Sequence, residues 1–492
     1  MSAVVTTELR AGFARRLSEL YGHEVPAYNT LLEVSHEVNR RVLDRDGQDA
    51  QRLGSIDRVT AERHGAIRVG TPEELSHVAR IFGALGMHPT GFYDLRDAHP
   101  QPIPVISTAF RPIDPAELAR NPFRVFTSML VPQDRRFFDE ELEQRLTRFL
   151  AARRLFPDEL LLLADRAEQD GWLSESDAAR FLDLAAAAFA LSSDPVDRGW
   201  YAELERISGV AADIGGVTTT HINHLTPRVL DIDDLYASMQ ARGVQMIDEI
   251  QGPPRWDGPP VLLRQTSFRA LAEPRAFREA DGRITRGELR VRFGEVEARG
   301  IALTPRGRDL YDRLVAEVDQ RLAATPQRSR QDVAADVWAS GFPDSEIELA
   351  RRDLGFFTFR PAERAADGSR PPRELARLLE GGWLAAEPIV YEDFLPRSAA
   401  GIFASNLTDR GEMDASQGGA PRDVHWLSEA IGRPVHVPEE VYAAERVESL
   451  TRAADALGIP EGIAVDEEPS GVAGRAAVNW AGPAPWNPEW RR

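Results

Sequence analysis

Two histidines stand close together in Thr219-Thr220-His221-Ile222-Asn223-His224-Leu225-Thr226-Pro227-Arg228-Val229, a β-like run that passes into a helical pattern from Asp231 to Gly243. The stretch has an earlier counterpart. His64-Gly65-Ala66-Ile67-Arg68-Val69 passes into a helical pattern from Thr71 to Gly86, and the two segments register position by position: His64 with His224, Arg68 with Arg228, Val69 with Val229, Leu75 with Leu235. A strand and helix repeated with a histidine at its mouth predicts a metal held between two related halves.

If two βαβββ units curl into half-barrels and pair, equivalent positions of their first strands meet in one cup, which brings His64 and His224 together. The last strand of each unit lines the same cup. Aligning Arg124-Val125-Phe126-Thr127-Ser128 with Val291-Arg292-Phe293-Gly294-Glu295 superposes the two phenylalanines and sets Glu295 against Ser128. Two histidines and one carboxylate with open positions suit non-haem Fe(II) that must bind substrate and O₂ together, although manganese, cobalt and zinc accept the same ligand types.

Near neighbours compete for these roles. His221 is three residues from His224 and so belongs to the opposite strand face; the repeat register selects His224 and leaves His221 a packing or supporting part. Glu297 shares the face of Glu295, so strand geometry does not separate them, and only the alignment favours Glu295. Arg68 and Arg228 each follow a histidine by four residues and share its face. An arginine fork beside a metal can grip both oxygens of a carboxylate, the alternative being an ion pair with an acidic neighbour. The clamp is favoured for Arg68, the structural pair for Arg228.

The elements expected to position these residues follow from periodicity. Residues 1–60 read as a helical N-terminal region. Residues 61–131 form a first βαβββ module, with Thr71 as helix N-cap, Pro72 at the first helical position and Glu74 closing a capping box; its strands are His64 to Val69, His88 to Leu95, Pro104 to Arg111 and Phe123 to Leu130. Residues 132–213 read as a helical insertion. Residues 214–306 form the second module, with β-like runs at His221 to Leu230, Val244 to Glu249, Pro260 to Ala270 and Leu289 to Ala298. Thr108-Ala109-Phe110-Arg111 in the first module answers Thr266-Ser267-Phe268-Arg269 in the second. A helical and mixed region follows over 307–390, with an exposed loop from Arg364 to Arg373. Residues 391–460 contribute a turn suited to close approach by a ligand, and a tail over 461–492 carries Trp480, Trp486 and Trp490. The expected fold is therefore α+β, two modules forming a metal-holding half-barrel cup with added helical regions.

Composition removes several chemistries. A chain of 492 residues with 42% hydrophobic and 28% charged residues has an ordinary globular balance. Its net charge of −19 repels phosphate backbones and anionic lipid, so neither nucleic acid nor membrane is an expected partner. The absence of cysteine excludes disulfides and thiolate ligands, and the absence of lysine excludes Schiff-base chemistry. No run approaches the roughly 20 apolar residues of a membrane span, and the cytoplasm is the expected location.

Longer motifs carry a family resemblance. Glu62-Arg63-His64-Gly65-Ala66-Ile67-Arg68, the run from Met87 to Arg111 with Pro112, His221 to Arg228, Arg292-Phe293-Gly294-Glu295-Val296-Glu297-Ala298-Arg299-Gly300 and Tyr391-Glu392-Asp393-Phe394-Leu395-Pro396 resemble the 2-oxoadipate dioxygenase/decarboxylase family, also called hydroxyglutarate synthase, over most of the chain to about residue 460. The resemblance implies a vicinal oxygen chelate fold, Fe(II), and conversion of 2-oxoadipate and O₂ to 2-hydroxyglutarate and CO₂ in lysine catabolism. It implies His64, His224 and Glu295 as metal ligands, Arg68 as a substrate-carboxylate contact, and further substrate contacts at Arg397 and Ser398, the arginine standing where the family is expected to carry valine. Two other readings use the same cup: O₂-independent isomerase or lyase chemistry on a small oxo acid with a divalent metal, and a metal-free binding module.

Overall fold

Apolar residues three and four apart make the start of the chain helical. Helix α1 spans Thr6–Glu24 and α2 spans Pro26–Asp46, and their buried faces include Leu9, Phe13, Leu17, Tyr21, Tyr28 and Leu31. Phe13 packs edge-on against Phe123 and Phe189, which seats α1 on the first module. The structure, a computed structural model, describes residues 3–98, 101–363, 370–396, 401–402, 405–406, 413–414 and 416–465. Trp480, Trp486 and Trp490, and residues 364–369 of the expected loop, lie outside the described residues.

The chain divides into two compact units. The larger comprises Met1–Thr358 and Glu387–Arg446; the smaller is built from Phe359–Ala386 and the chain from Val447 onward. The smaller contains the helix Leu375–Glu380, and the segment before that helix bonds Ala464, through Ala464 N–H to Arg373 and Leu375 N–H to Ala464.

In the larger unit a short helix α3, Ile56–Ala61, leads into strand β1, Arg63–Val69, helix α4, Pro72–Gly83, and strands β2, His88–Asp94, and β3, Val105–Arg111. Helix α5, Pro115–Arg120, precedes strand β4, Phe123–Leu130. Thr71 caps α4 by accepting from Glu74 N–H at 3.1 Å. The expected capping box does not close on Thr71. Glu74 accepts instead from Gly70 N–H at 2.6 Å and pairs with Arg153, a stronger ionic partner offered by the helical insertion.

Strand β1 runs parallel to β4, and β4, β3 and β2 follow antiparallel. This βαβββ order leaves one edge of β1 free, and strand β5, His224–Pro227, takes it antiparallel with Ala66 opposite His224 and His64 opposite Thr226. The two modules thus join edge to edge through their first strands. Side chains of His64, Ala66, His224 and Thr226 share one face, because directly opposed residues and every second residue along a strand project together.

The second module repeats the order with looser strands. Helix α11, Ile232–Ala241, is preceded in the insertion by α6 to α10: Glu140–Ala152, Asp158–Asp170, Glu175–Ala188, Arg198–Glu205 and Gly209–Gly215. Strand β6, Leu263–Phe268, pairs antiparallel with the module's last strand, Gly294–Arg299, which meets β5 in parallel at Arg228 and Glu297. The run Val244 to Glu249 forms no continuous strand. It touches β6 through a bridge from Met246 to Phe268, followed by another from Gln251 to Gln265, while Tyr236 Oη takes the Ile247 carbonyl at 2.9 Å.

A hairpin not anticipated from sequence lies between: β7, Glu273–Arg278, and β8, Ile284–Leu289. Both arms are polar and, apart from Phe277 and Leu289, exposed or only partly buried, so they lack the apolar alternation that marks a half-buried strand; Gly282, at φ +83°, makes the turn. Leu289 therefore ends the hairpin, and the closing strand, β9, begins only at Gly294. No helix among the described residues is long and apolar enough to cross a membrane.

Candidate metal centre and active site

His64 on β1, His224 opening β5 and Glu295 on β9 are all buried and converge in the cup. Glu295 faces both histidines: its Oε1 lies 3.6 Å from His64 Nε2 and its Oε2 3.4 Å from His224 Nε2. The imidazoles are edge to face, with centroids 5.3 Å apart. One donor atom from each of the three residues can be chosen so that all lie within 4.8 Å of one another, a spacing that one ion with bonds of about 2.0–2.2 Å can draw together.

A polar group stands behind each ring. His64 Nδ1 lies 2.9 Å from Glu297 Oε2, and His224 Nδ1 lies 3.0 Å from Thr226 Oγ1. A metal-binding histidine needs its other nitrogen fixed so that the correct nitrogen faces the ion. Each Nε2 here is directed to Glu295. The donor set fits a divalent metal.

Burial and charge act differently on the four groups. Burial raises the Glu295 carboxyl, partly opposed by His64, and burial holds the His224 ring well below its ordinary range with His64 adding to the effect. For His64, burial disfavours the cation, but Glu297 and Glu295 outweigh it and raise the ring. Burial also opposes ionisation of Glu297, which is nevertheless lowered by the Arg299 guanidinium and His64. Arg299 grips it by Nε at 2.7 Å and Nη2 at 2.9 Å. Glu295 thus faces the histidines' Nε2 atoms while Glu297 stands behind His64, a separation that face parity alone did not supply.

Tyr21 ties the frame together. Its hydroxyl points at the carbonyls of Asn223, at 3.1 Å, and Phe293, at 2.8 Å, the residues just before His224 and the closing strand. Phe293 also stacks on His224 with centroids 5.2 Å apart. Phe394 meets His64 edge-on at 5.0 Å and Phe126 at the same distance. The Arg299 guanidinium donates to the carbonyls of Tyr391 and Asp393, fixing the turn that presents Phe394. A hollow of about 20 Å³ remains among His64, His224, Glu295, Phe126, Gln265 and Phe394.

Arg68 is buried on the His64 strand, and its Nη1 bonds the carboxylate of Asp213 from α10. Asp213 also accepts from Asn223 Nδ2 at 2.9 Å and lies 3.3 Å from His221 Nε2. His221 therefore sits behind Arg68 rather than beside the three converging donors. Ser128, opposite Arg68 in register, shares a hydrogen bond with Ser107 at 2.9 Å. Arg228 bonds Glu62 at 3.0 Å and the Leu53 carbonyl at 2.9 Å. It belongs to a buried ionic cluster in which Glu62 and Glu392 are shared by Arg58, Arg124, Arg228 and Arg299. Arg397 and Ser398 lie outside the described residues.

Asp213 and Tyr21 were not singled out from sequence. Glu297 was visible as a rival to Glu295, whereas Asp213 and Tyr21 lie in helices whose spacing signals only packing.

A family model described as 2-oxoadipate dioxygenase/decarboxylase matches residues 13–406. The 2-oxoadipate dioxygenase/decarboxylase of Mycobacterium tuberculosis is 55% identical over 443 residues, covering 89% of this chain and 96% of the relative. The Escherichia coli protein of the same name is 40% identical over 459 residues, covering 92% and 99%. The crystal structure of the hydroxyglutarate synthase from Pseudomonas putida, in complex with 2-oxoadipate, matches with a TM-score of 0.80 at 37% identity, over 93% of this chain and all of that one. The matched range spans both modules and the three converging donors, and the chain belongs to the 2-oxoadipate dioxygenase/decarboxylase family.

Proposed function

We propose that this chain converts 2-oxoadipate and O₂ to 2-hydroxyglutarate and CO₂, with Fe(II) held by His64, His224 and Glu295. The observation that carries the metal assignment is the convergence of both Nε2 atoms on Glu295, with the Glu297 carboxylate 2.9 Å behind His64 and Thr226 bonded behind His224. The substrate follows from the relatives' names and from the 2-oxoadipate complex of the Pseudomonas putida hydroxyglutarate synthase. A cytoplasmic role in lysine catabolism belongs to the same reading.

Iron, when bound, supplies Lewis acidity and the redox chemistry that joins O₂ to a 2-oxo acid. The side chains supply binding and exclusion. Glu295 brings one negative charge to a site whose other two donors are neutral imidazoles, and Glu297 keeps the His64 ring oriented through Nδ1. In this reading Arg68 holds a substrate carboxylate through its planar fork, and its bond to Asp213 fixes the guanidinium in advance of binding. Phe126, Phe293 and Phe394 keep bulk water from the reacting centre. The hollow of about 20 Å³ beside the three donors has room for an ion or a water.

Anaerobic reconstitution with Fe(II), followed by 2-oxoadipate and O₂ with products identified by mass, tests the reading. The expected result is 2-hydroxyglutarate and CO₂ in equal amounts, matched by O₂ consumed. Turnover that proceeds unchanged without O₂ would identify isomerase or lyase chemistry instead.

A further inference from the structure

Among the described residues, the hollow in the cup has one polar side chain on its wall besides the three converging donors. The rest of its lining is Phe126, Phe394, Ile402 and Gln265. Gln265 lies on β6 and is 3% exposed. Its backbone is held on both edges. On one it opposes Glu297 of β9; on the other its N–H donates to the Gln251 carbonyl at 3.0 Å and its carbonyl accepts from Gln251 N–H at 2.8 Å.

Residues directly opposed in an antiparallel pair project together, so Gln265 and Ser267 share the cup face with Glu297 and Glu295. The other three are engaged there. Ser267 Oγ accepts from Asn406 Nδ2 at 2.8 Å, Glu297 is gripped by Arg299, and Glu295 faces the two histidines. The Gln265 amide forms no hydrogen bond among the described residues. Buried amides are rarely left so, because losing water without gaining a partner is unfavourable. An amide also differs from a glutamate of the same shape in offering donors and no charge. Glu295 already brings negative charge to the hollow; beside it a neutral donor accepts an incoming anion, where a further carboxylate would repel one.

We propose that Gln265 is a substrate-binding residue whose Nε2 donates a hydrogen bond to the carboxylate next to the oxo group of a 2-oxo acid. The inference deepens the functional reading above and rests on its metal, because the acid head comes to the hollow as the partner of the ion. Gln265 supplies a neutral hydrogen bond beside the ion, where Arg68 supplies charge. The competing chemistry for the same amide is ligation of the metal through Oε1, and metal affinity separates the two.

Oxalate, two adjacent carboxylates with no further chain, is the probe for the acid head, used beside 2-oxoadipate itself. Anaerobic equilibrium dialysis of each against the Fe(II)-loaded full chain measures binding without turnover, with bound Fe(II) determined in the same samples; chelator competition measures Fe(II) affinity. Gln265→Met keeps the volume and removes the amide. It is expected to weaken oxalate and 2-oxoadipate at least about tenfold, the loss of one hydrogen bond to a charged group, with Fe(II) affinity unchanged. Gln265→Glu keeps the outline and adds charge, so it tests the same contact even where methionine disturbs the strand, and it is expected to weaken both ligands further. Wild-type binding of oxalate in both variants overturns the inference. A fall in the Fe(II) affinity of Gln265→Met that accounts for the lost oxalate also overturns it and makes the amide a metal ligand. If the wild type binds oxalate but neither binds nor turns over 2-oxoadipate, the functional reading fails, whereas oxalate weakened in both variants still supports Gln265 as the partner of the acid head.

Discussion

Glu297 Oε2 stands 2.9 Å from His64 Nδ1 while Glu295, two residues earlier on the same strand, faces the Nε2 side of the same ring. One imidazole is thus held between two carboxylates with different tasks. Glu297→Gln keeps the shape but removes the negative charge that fixes the ring, and loss of such a supporting partner costs about 10–100-fold in metal affinity. Fe(II) competition against a calibrated chelator should show that loss, with Glu295→Gln weaker still. Equal affinities for wild type and Glu297→Gln would remove Glu297 from the metal assembly.

Arg68 is the test of the substrate clamp. Arg68→Met retains much of the buried stem and deletes the fork, and truncating one partner of a buried charge pair costs about 2–5 kcal/mol. The kcat/KM for 2-oxoadipate should fall at least about 30-fold with Fe(II) content unchanged. A variant with wild-type kcat/KM would leave Arg68 only its structural bond to Asp213.

The repeat of histidine, arginine and helix made the cup legible, because a pseudo-symmetric pair of strands constrains residues far apart in sequence. It located both histidines, and alignment of the phenylalanines in the last strands selected Glu295. What sequence did not carry was the side-chain environment. Parity along a strand places Glu295 and Glu297 on one face, and only Arg299, which draws Glu297 behind His64, separates them. The hairpin β7–β8 escaped because exposed arms need no apolar alternation, and its Asp281-Gly282 turn was the one local signal. Tyr21 was not singled out, because an aromatic in a helical pattern signals only packing, whereas its hydroxyl reaches two carbonyls more than 200 residues away in sequence.

Tyr21→Phe isolates that hydroxyl. The ring remains in the core, but the carbonyls of Asn223 and Phe293 lose a donor in a dry environment, a change worth about 1–3 kcal/mol. Urea denaturation of the Fe(II)-free protein should give a lower midpoint at unchanged slope. Fe(II) affinity should fall as well, because these carbonyls lead into His224 and the strand of Glu295. A change in stability with no change in Fe(II) affinity would confine Tyr21 to packing.

His88, at the start of β2, supplies a pH dependence away from the cup. Burial and the neighbouring His436, whose ring is 6.0 Å away, lower its pKa to about 4. An unfolded histidine titrates near 6.5. Above that value neither state binds the proton and the group is neutral in its effect; as pH falls from about 6.5 to about 4, the unfolded chain takes up a proton that the folded chain refuses, so folding stability is lost. Below about 4 both states are protonated and the loss levels off at about 3 kcal/mol. Comparing urea midpoints of wild type and His88→Asn at pH 7 and pH 5 cancels the contribution of the cup histidines, which both proteins share. The wild type should lose more stability than the variant over this interval, and equal losses would show that His88 takes up its proton in the folded protein as readily as in the unfolded chain.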